Sequence, residues 1–364
     1  MTAALTVAGC TSAPATSAPA GAASTGGAPE RPAITVAQAR QVWDRYVAVS
    51  DAETVKAGSA APGLSLETGP QRAYDAATDS ATDAAALAPP AYTAPVFYLT
   101  ERSGYPRFFV VAVSQRLNSD YSSGAAASTS VDGAAIHTFG PELMLFEQAS
   151  ATAPWLLGSI TRLAVGEKLP RLATDSAGYI PTISPSAATL LAQPDEVGAL
   201  QAAVVDDGPA STATTAVAGG QLTTGLYQGA LSHAEGLTAP HGDVYQWELE
   251  GTSYPEFALR TAAGGALVFY AMALDTTVAV PDYIDKADPV RSGPPIQVPV
   301  NVQRLLPSGQ PAPLIDLQSE QLLSFAAVDP PSAPSAPSVP SAPSAGGKIQ
   351  VIALGGGLTS ATAS

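Results

Sequence analysis

The sequence predicts an α+β protein of two similar domains, each with N-terminal helices packed on a curved antiparallel sheet, preceded by a disordered tether. Three observations carry this. Apolar residues recur with a helical period from Val36 and with a strand period from Val96. The same helix-then-strand order returns after residue 176. Residues 11–33 are mainly Ala, Pro, Ser, Thr and Gly, and such a segment cannot bury a core. The 364 residues are long for one ordinary domain and comfortable for two. The predicted domains span residues 34–175 and 176–364.

In the first domain, Thr35 and Gln38 form a capping-box pattern. Val36, Ala39, Trp43, Tyr46 and Val47 then share one helical face, and Gly58 stops the helix after about Lys56. An Ala-rich second helix is expected over 71–87, closed by Pro89 and Pro90. Residues 96–100 and 107–116 read as a hairpin around the turn Ser103-Gly104-Tyr105-Pro106. Two more strands are expected at 142–148 and 155–163.

In the second domain, helical patterns cover 185–205 and 222–235, and strands cover 244–249, 257–261 and 266–274. A strand near 322–328 leads into a Pro-rich loop, 330–347, and residues 348–354 read as the return strand. Gly355-Gly356-Gly357 reads as a flexible end. Phe97, Leu99, Gly104 and Phe109 match Phe257, Leu259, Gly264 and Phe269 at one offset, 257 − 97 = 160, which points to a tandem repeat. The alternation common to all hairpins is the competing explanation. Helices followed by a four-strand meander, twice over, resemble the NTF2-like or cystatin-like roll. That resemblance implies a pocket between helix and concave sheet.

Composition narrows the partners. Charged residues make up 13% and the net charge is −15. An acidic surface repels phosphate backbones, which disfavours nucleic acid, and no nucleic-acid partner is expected. It also excludes docking on anionic lipid through a basic patch. No apolar run reaches the roughly 18 residues a membrane-spanning helix needs.

The single cysteine supplies the membrane link. Val7-Ala8-Gly9-Cys10 resembles the lipobox of bacterial lipoproteins, an aliphatic residue and two small ones before the cysteine. That resemblance implies acylation of Cys10 and anchoring to the outer face of the cell membrane. No Lys or Arg precedes Arg31, so the true start is expected upstream. A chance cysteine in an Ala-rich segment is the competing explanation. As a flexible coil, the 23-residue tether 11–33 spans about 25–30 Å. With Cys10 acylated, no thiol remains for disulfides, metal or nucleophilic chemistry. Together with the Ala/Pro tether, Trp43-Asp44-Arg45-Tyr46 and the paired hairpins, the lipobox gives the chain a resemblance to uncharacterised lipoproteins of high-GC Gram-positive bacteria.

Catalytic signals are sparse. His233, Glu235, His241 and Asp243 make the nearest approach to a metal cluster, but on a segment broken by Gly236, Pro240 and Gly242. No metal or cofactor is expected. Asp75, Asp79 and Asp83 are expected on a solvated helix face, as are Asp282, Asp285 and Asp288 in a loop. Asp206-Asp207-Gly208-Pro209 reads as a turn or a helix end. No Gly-x-Ser-x-Gly elbow or phosphate-binding loop occurs. Within a roll, Tyr98, Tyr270, Asp275 and His137 would be the candidates for acid/base chemistry. The sequence thus favours a non-catalytic, lipid-anchored binding or scaffold module with an envelope protein or cell-wall partner. A small-molecule-binding or enzymatic roll is the alternative.

Overall fold

The computed structural model describes residues 33–54, 63–80, 91–101, 104–116, 127–131, 134–241, 243–280, 296, 298–307, 316–332 and 347–364. Helix α1 (Val36–Thr54) starts at the expected capping box. The Thr35 N–H donates to Gln38 Oε1 at 3.0 Å, and Thr35 Oγ1 accepts the Gln38 N–H at 3.3 Å. Ala39, Trp43 and Tyr46 are buried, whereas Val36 is 58% exposed. At about 100° per residue Val36 falls roughly 50° off the line of the other three. Helix α2 (Gly69–Ser80) covers the start of the second expected helix, and residues 81–87 lie outside the described set.

Strands β1 (Ala91–Leu99), β2 (Arg107–Arg116), β4 (Ala134–Gln148) and β5 (Leu156–Ala164) pair antiparallel in chain order. The short β3 (Ala127–Val131), which the sequence did not predict, pairs with β4. These strands form the first arm of the sheet.

The second arm also has helices before most of its strands. After β6 (Thr182–Ile183) come α3 (Val197–Asp207) and α4 (Thr224–His241). The helix expected from residue 185 begins only at Val197, because Pro185 and Pro194 interrupt it; Pro194 instead opens a 3₁₀ turn that feeds α3. Strand β7 (Val244–Gly251) pairs with β9 (Ala266–Ala279), as does β8 (Phe257–Arg260). The short α5 (Val300–Gln303) precedes β10 (Asp316–Asp329), which pairs with β9 and with β11 (Gln350–Ala363), the expected return strand.

Among the described residues, all eleven strands belong to one sheet, ordered β1-β2-β4-β5-β11-β10-β9-β8-β6, with β3 beside β4 and β7 beside β9. Strands from residues 34–175 and from 176–364 therefore lie side by side. The hairpins matched at the 160-residue offset are β1–β2 and β8–β9. Their registers differ: Leu99 faces Phe109, but Leu259 faces Leu267.

Alternation decides what each face meets. Phe108, Val110, Leu143 and Leu145 of the first arm share one cluster with Phe257, Leu259, Leu267 and Phe269 of the second. The sheet must curl for its two arms to face each other across that core. On the opposite face of the first arm, Phe109, Val111, Met144 and Phe146 receive Trp43 and Tyr46 of α1. On the opposite face of the second, Val268, Tyr270, Met272 and Phe325 receive Val197, Val204 and Leu226 from α3 and α4.

The arms are joined at both ends. At one, β5 meets β11 through only Leu163–Ala353 and Arg162–Leu354. There the triple glycine, expected as a flexible end, lies inside β11. A Cβ on Gly355 would collide with the Ile160 carbonyl, and one on Gly357 would lie 2.8 Å from the Tyr74 ring of α2. At the other end, the Ile180 N–H donates to the Leu99 carbonyl at 2.8 Å, and the Arg260 N–H donates to the Pro181 carbonyl at 2.9 Å. Residues 180–183 thus bind the outer strand of each arm and close the roll.

Candidate functional site

The curled sheet leaves little room inside. The hole near its mouth, between Leu145, Glu147, Ser159, Phe269 and Ser324, holds about 20 Å³, one water's worth. The open concavities are on the outside.

The first is a groove beside α1. Gln38, Gln41, Val42 and Arg45 fall at i, i+3, i+4 and i+7 and form one wall. Tyr105, Arg107, Gln148 and Trp155, from the strand ends of the first arm, form the other. The space measures about 440 Å³. A second hollow of about 250 Å³ continues it, shares Val42, Arg45 and Trp155, and reaches Tyr46. Among the described residues lining both, the charged ones are Arg45 and Arg107. Arg107 is held in place: its Nη1 donates to the Ala33 carbonyl at 3.4 Å, and its guanidinium lies 4.5 Å from the Tyr105 ring centre.

Behind Tyr46 lies a buried acid pair. The Tyr46 hydroxyl is 3.5 Å from Glu67 Oε1, a long contact, and Glu67 is 2% exposed. Glu67 Oε2 finds no hydrogen-bond partner among the described residues; Asp75 lies close enough to raise the carboxyl's pKa, and Tyr46 and Arg72 oppose that rise. Gln71 donates to Asp75 Oδ2 at 2.7 Å and accepts the Ile160 N–H at 3.1 Å, which ties α2 to β5. Burial, then the neighbouring Asp75, pushes the Glu67 carboxyl up to about 9, and burial also raises Asp75. At neutral pH the pair therefore holds a proton. This corrects the expectation of a solvated Asp75.

Residues 30–362 match a family model described as a domain of unknown function, DUF8094. The chain belongs to that family. No curated protein and no solved structure matches it.

This DUF8094 chain carries a second open cleft, on its other arm, of opposite sign. Asp206, Glu248 and Asp275 line a space of about 520 Å³ together with Tyr245 and Trp247. The Tyr245 and Trp247 rings stack at 5.8 Å, and Trp247 Nε1 donates to the Val205 carbonyl at 3.2 Å. Asp206 closes α3, as expected of a helix end, and its Oδ1 accepts the Leu249 N–H at 3.0 Å. Burial first, then Glu248, Asp207 and Glu250, pushes Asp206 up to about 6 despite that hydrogen bond.

The other sequence candidates do not converge. Cys10, Asp83, Asp282, Asp285 and Asp288 lie outside the described residues. His233 stands edge-on to Tyr245 at 4.8 Å, and burial lowers its pKa. Among the described residues, no group of three His, Cys, Asp or Glu can hold a metal ion. The Tyr270 hydroxyl is buried against Gln201 Oε1 at 2.7 Å under α3, Tyr98 packs on the core between the arms, and Asp275 belongs to the acidic cleft. His137 pairs with Ser128 across β3–β4. Among the described residues, no helix is long and apolar enough to cross a membrane. Sequence reasoning missed Glu67, Gln71 and the groove that Arg45 and Trp155 both line. The buried setting of Glu67 and Gln71 depends on Tyr46 and Ile160, 21 and 89 residues away, so nothing local marks it.

Proposed function

We propose that this DUF8094 chain is a lipid-anchored envelope protein that acts as a non-catalytic binding module. Cys10 carries the acyl anchor on the outer face of the cell membrane, residues 11–33 tether the folded part, and the α1 groove takes the ligand, an envelope protein or cell-wall component. The observation that carries the binding part is where the space lies. The interior between the arms is filled by Phe108, Leu143, Leu145, Phe257, Leu259 and Phe269, while the open clefts sit outside. The anchor rests on the Val7-Ala8-Gly9-Cys10 pattern and the tether. The chain order of helices and meander in each arm also supports reading the halves as copies of one NTF2-like or cystatin-like roll.

The test is fractionation of cells expressing the native protein, followed by mass spectrometry of its N-terminus and in-cell crosslinking. The expected result is an acylated Cys10 in the membrane fraction with one reproducible envelope companion. Recovery of the unmodified protein in the soluble cytoplasm overturns the reading. An enzymatic roll is the second reading, and the buried Glu67 carboxyl placed behind Tyr46 is the observation in its favour. Turnover of an envelope substrate, abolished by Glu67→Gln, would establish it.

A further inference from the structure

We infer that the α1 groove recognises a polyhydroxylated chain bearing anionic groups, which is to say an acidic glycan or polyol polymer. This rests on the binding reading above and names its ligand class.

Charge is the first argument. The chain carries 31 acidic residues against 16 Lys and Arg, yet the charged residues lining this groove are both arginines. The acidic cleft on the other arm shows that the background charge reaches open concavities elsewhere. Arg45 is exposed, and the residues three and four positions away along α1 are Gln41, Val42, Ala48 and Val49. No carboxylate on its own helix is placed to neutralise it. Arg107 is fixed by the Ala33 carbonyl and the Tyr105 ring, so a second guanidinium is held in one place. Guanidinium groups bind carboxylate and phosphate through paired N–H donors.

The second argument is what surrounds the arginines. Gln41, exposed on the same stripe, offers both a donor and an acceptor, as hydroxyl groups require. Gln148 donates its Nε2 to the Ala153 carbonyl at 2.8 Å, which orients its amide. Trp155 lines both parts of the groove and packs edge-to-face on Phe109 at 5.1 Å, so its ring is a fixed plate. A flat ring, amides and guanidinium groups match, in turn, the apolar ring face, the hydroxyls and the anion of an acidic sugar. An oligoglutamate would use the arginines and the amides but offers no apolar ring face to Trp155. The combined groove lies within the usual range of small-ligand sites, about 300–1,000 Å³.

The test uses the full chain with Cys10→Ser and calorimetric titration. The probes are an oligogalacturonate (sugar carboxylate), a glycerol-phosphate oligomer (polyol phosphate), a neutral oligosaccharide of equal length and an oligoglutamate. Binding of one anionic polyol, at least about tenfold tighter than the neutral sugar and the oligoglutamate, supports the proposal. Which of the two binds identifies the anion. Arg45→Glu, at an exposed position, is expected to weaken it at least about tenfold without moving the melting temperature, and Gln41→Ala to weaken it less. Failure of both anionic probes, equal binding of oligoglutamate, or indifference to Arg45→Glu overturns the proposal. None of these results touches the anchor, which the fractionation experiment tests separately.

Discussion

The two arms of the sheet handle acid in opposite ways. In the first, Glu67 is enclosed under α2 beside Asp75, and the concavity outside displays Arg45 and Arg107. In the second, Asp206, Glu248 and Asp275 gather in an open cleft. The residue types are the same, and access to water makes the difference. Glu67 has lost its hydration and is pushed up to about 9, while Asp206, half-buried, is raised only to about 6. A shared strand order therefore does not give the arms a shared surface chemistry.

The comparison breaks most visibly if the arms are not one cooperative body. Phe146 and Phe325 are almost fully buried, one in each arm. Each change to Ala is expected to cost about 3–5 kcal/mol. Denaturant unfolding followed by fluorescence and circular dichroism should show a single transition that moves with either variant. Two transitions, each sensitive to one variant, would mean the arms fold apart.

A smaller effect is expected at the seam. Gly355→Val forces a side chain against the Ile160 carbonyl and should cost about 3 kcal/mol, while Gly251→Val, at an exposed strand position where nothing lies within 4 Å, sets the cost of replacing a strand glycine without a clash. Equal losses would remove the packing argument.

Next comes the acid pair. Because folding raises Glu67 from its ordinary 4.5 to about 9, the folded state binds the extra proton. Stability is then greatest below pH 4.5 as far as this group is concerned, and it falls as pH rises towards 9, by at most about 1.4 kcal/mol per unit. Glu67→Gln should flatten that slope while leaving the acid limit unchanged. A slope untouched by the substitution would place the buried proton elsewhere.

Asp206→Asn should do least. The same sign applies, with stability lost between pH 3.8 and about 6, and half-exposure keeps the effect below about 1 kcal/mol. Chemical denaturation at pH 4 and pH 7 measures it. A larger change than at Glu67 would reverse the contrast between the arms.

Much of the fold was written in local signals. The Thr35–Gln38 cap, the β1–β2 hairpin and the return strand after the Pro-rich segment all depend on neighbours or on strand alternation, and all are found. The triple glycine was misread because its cause lies 195 residues away (355 − 160), in the Ile160 carbonyl. Asp75 was misread although Glu67 is near in sequence, because helical spacing alone cannot tell that the residue before the helix turns back to face it. The α1 stripe was visible as a helix. That it faces Trp155 follows only from the meander, so the groove was not legible.

The connector between the arms has a role that an ordinary linker does not. Residues 180–183 are both the path from one arm to the next and the clasp that holds their outer edges together. Such a segment cannot lengthen freely as surface loops do. Residues inserted there would open the ring, expose two strand edges to neighbouring molecules, and turn a closed chain into one that can exchange arms with its copies.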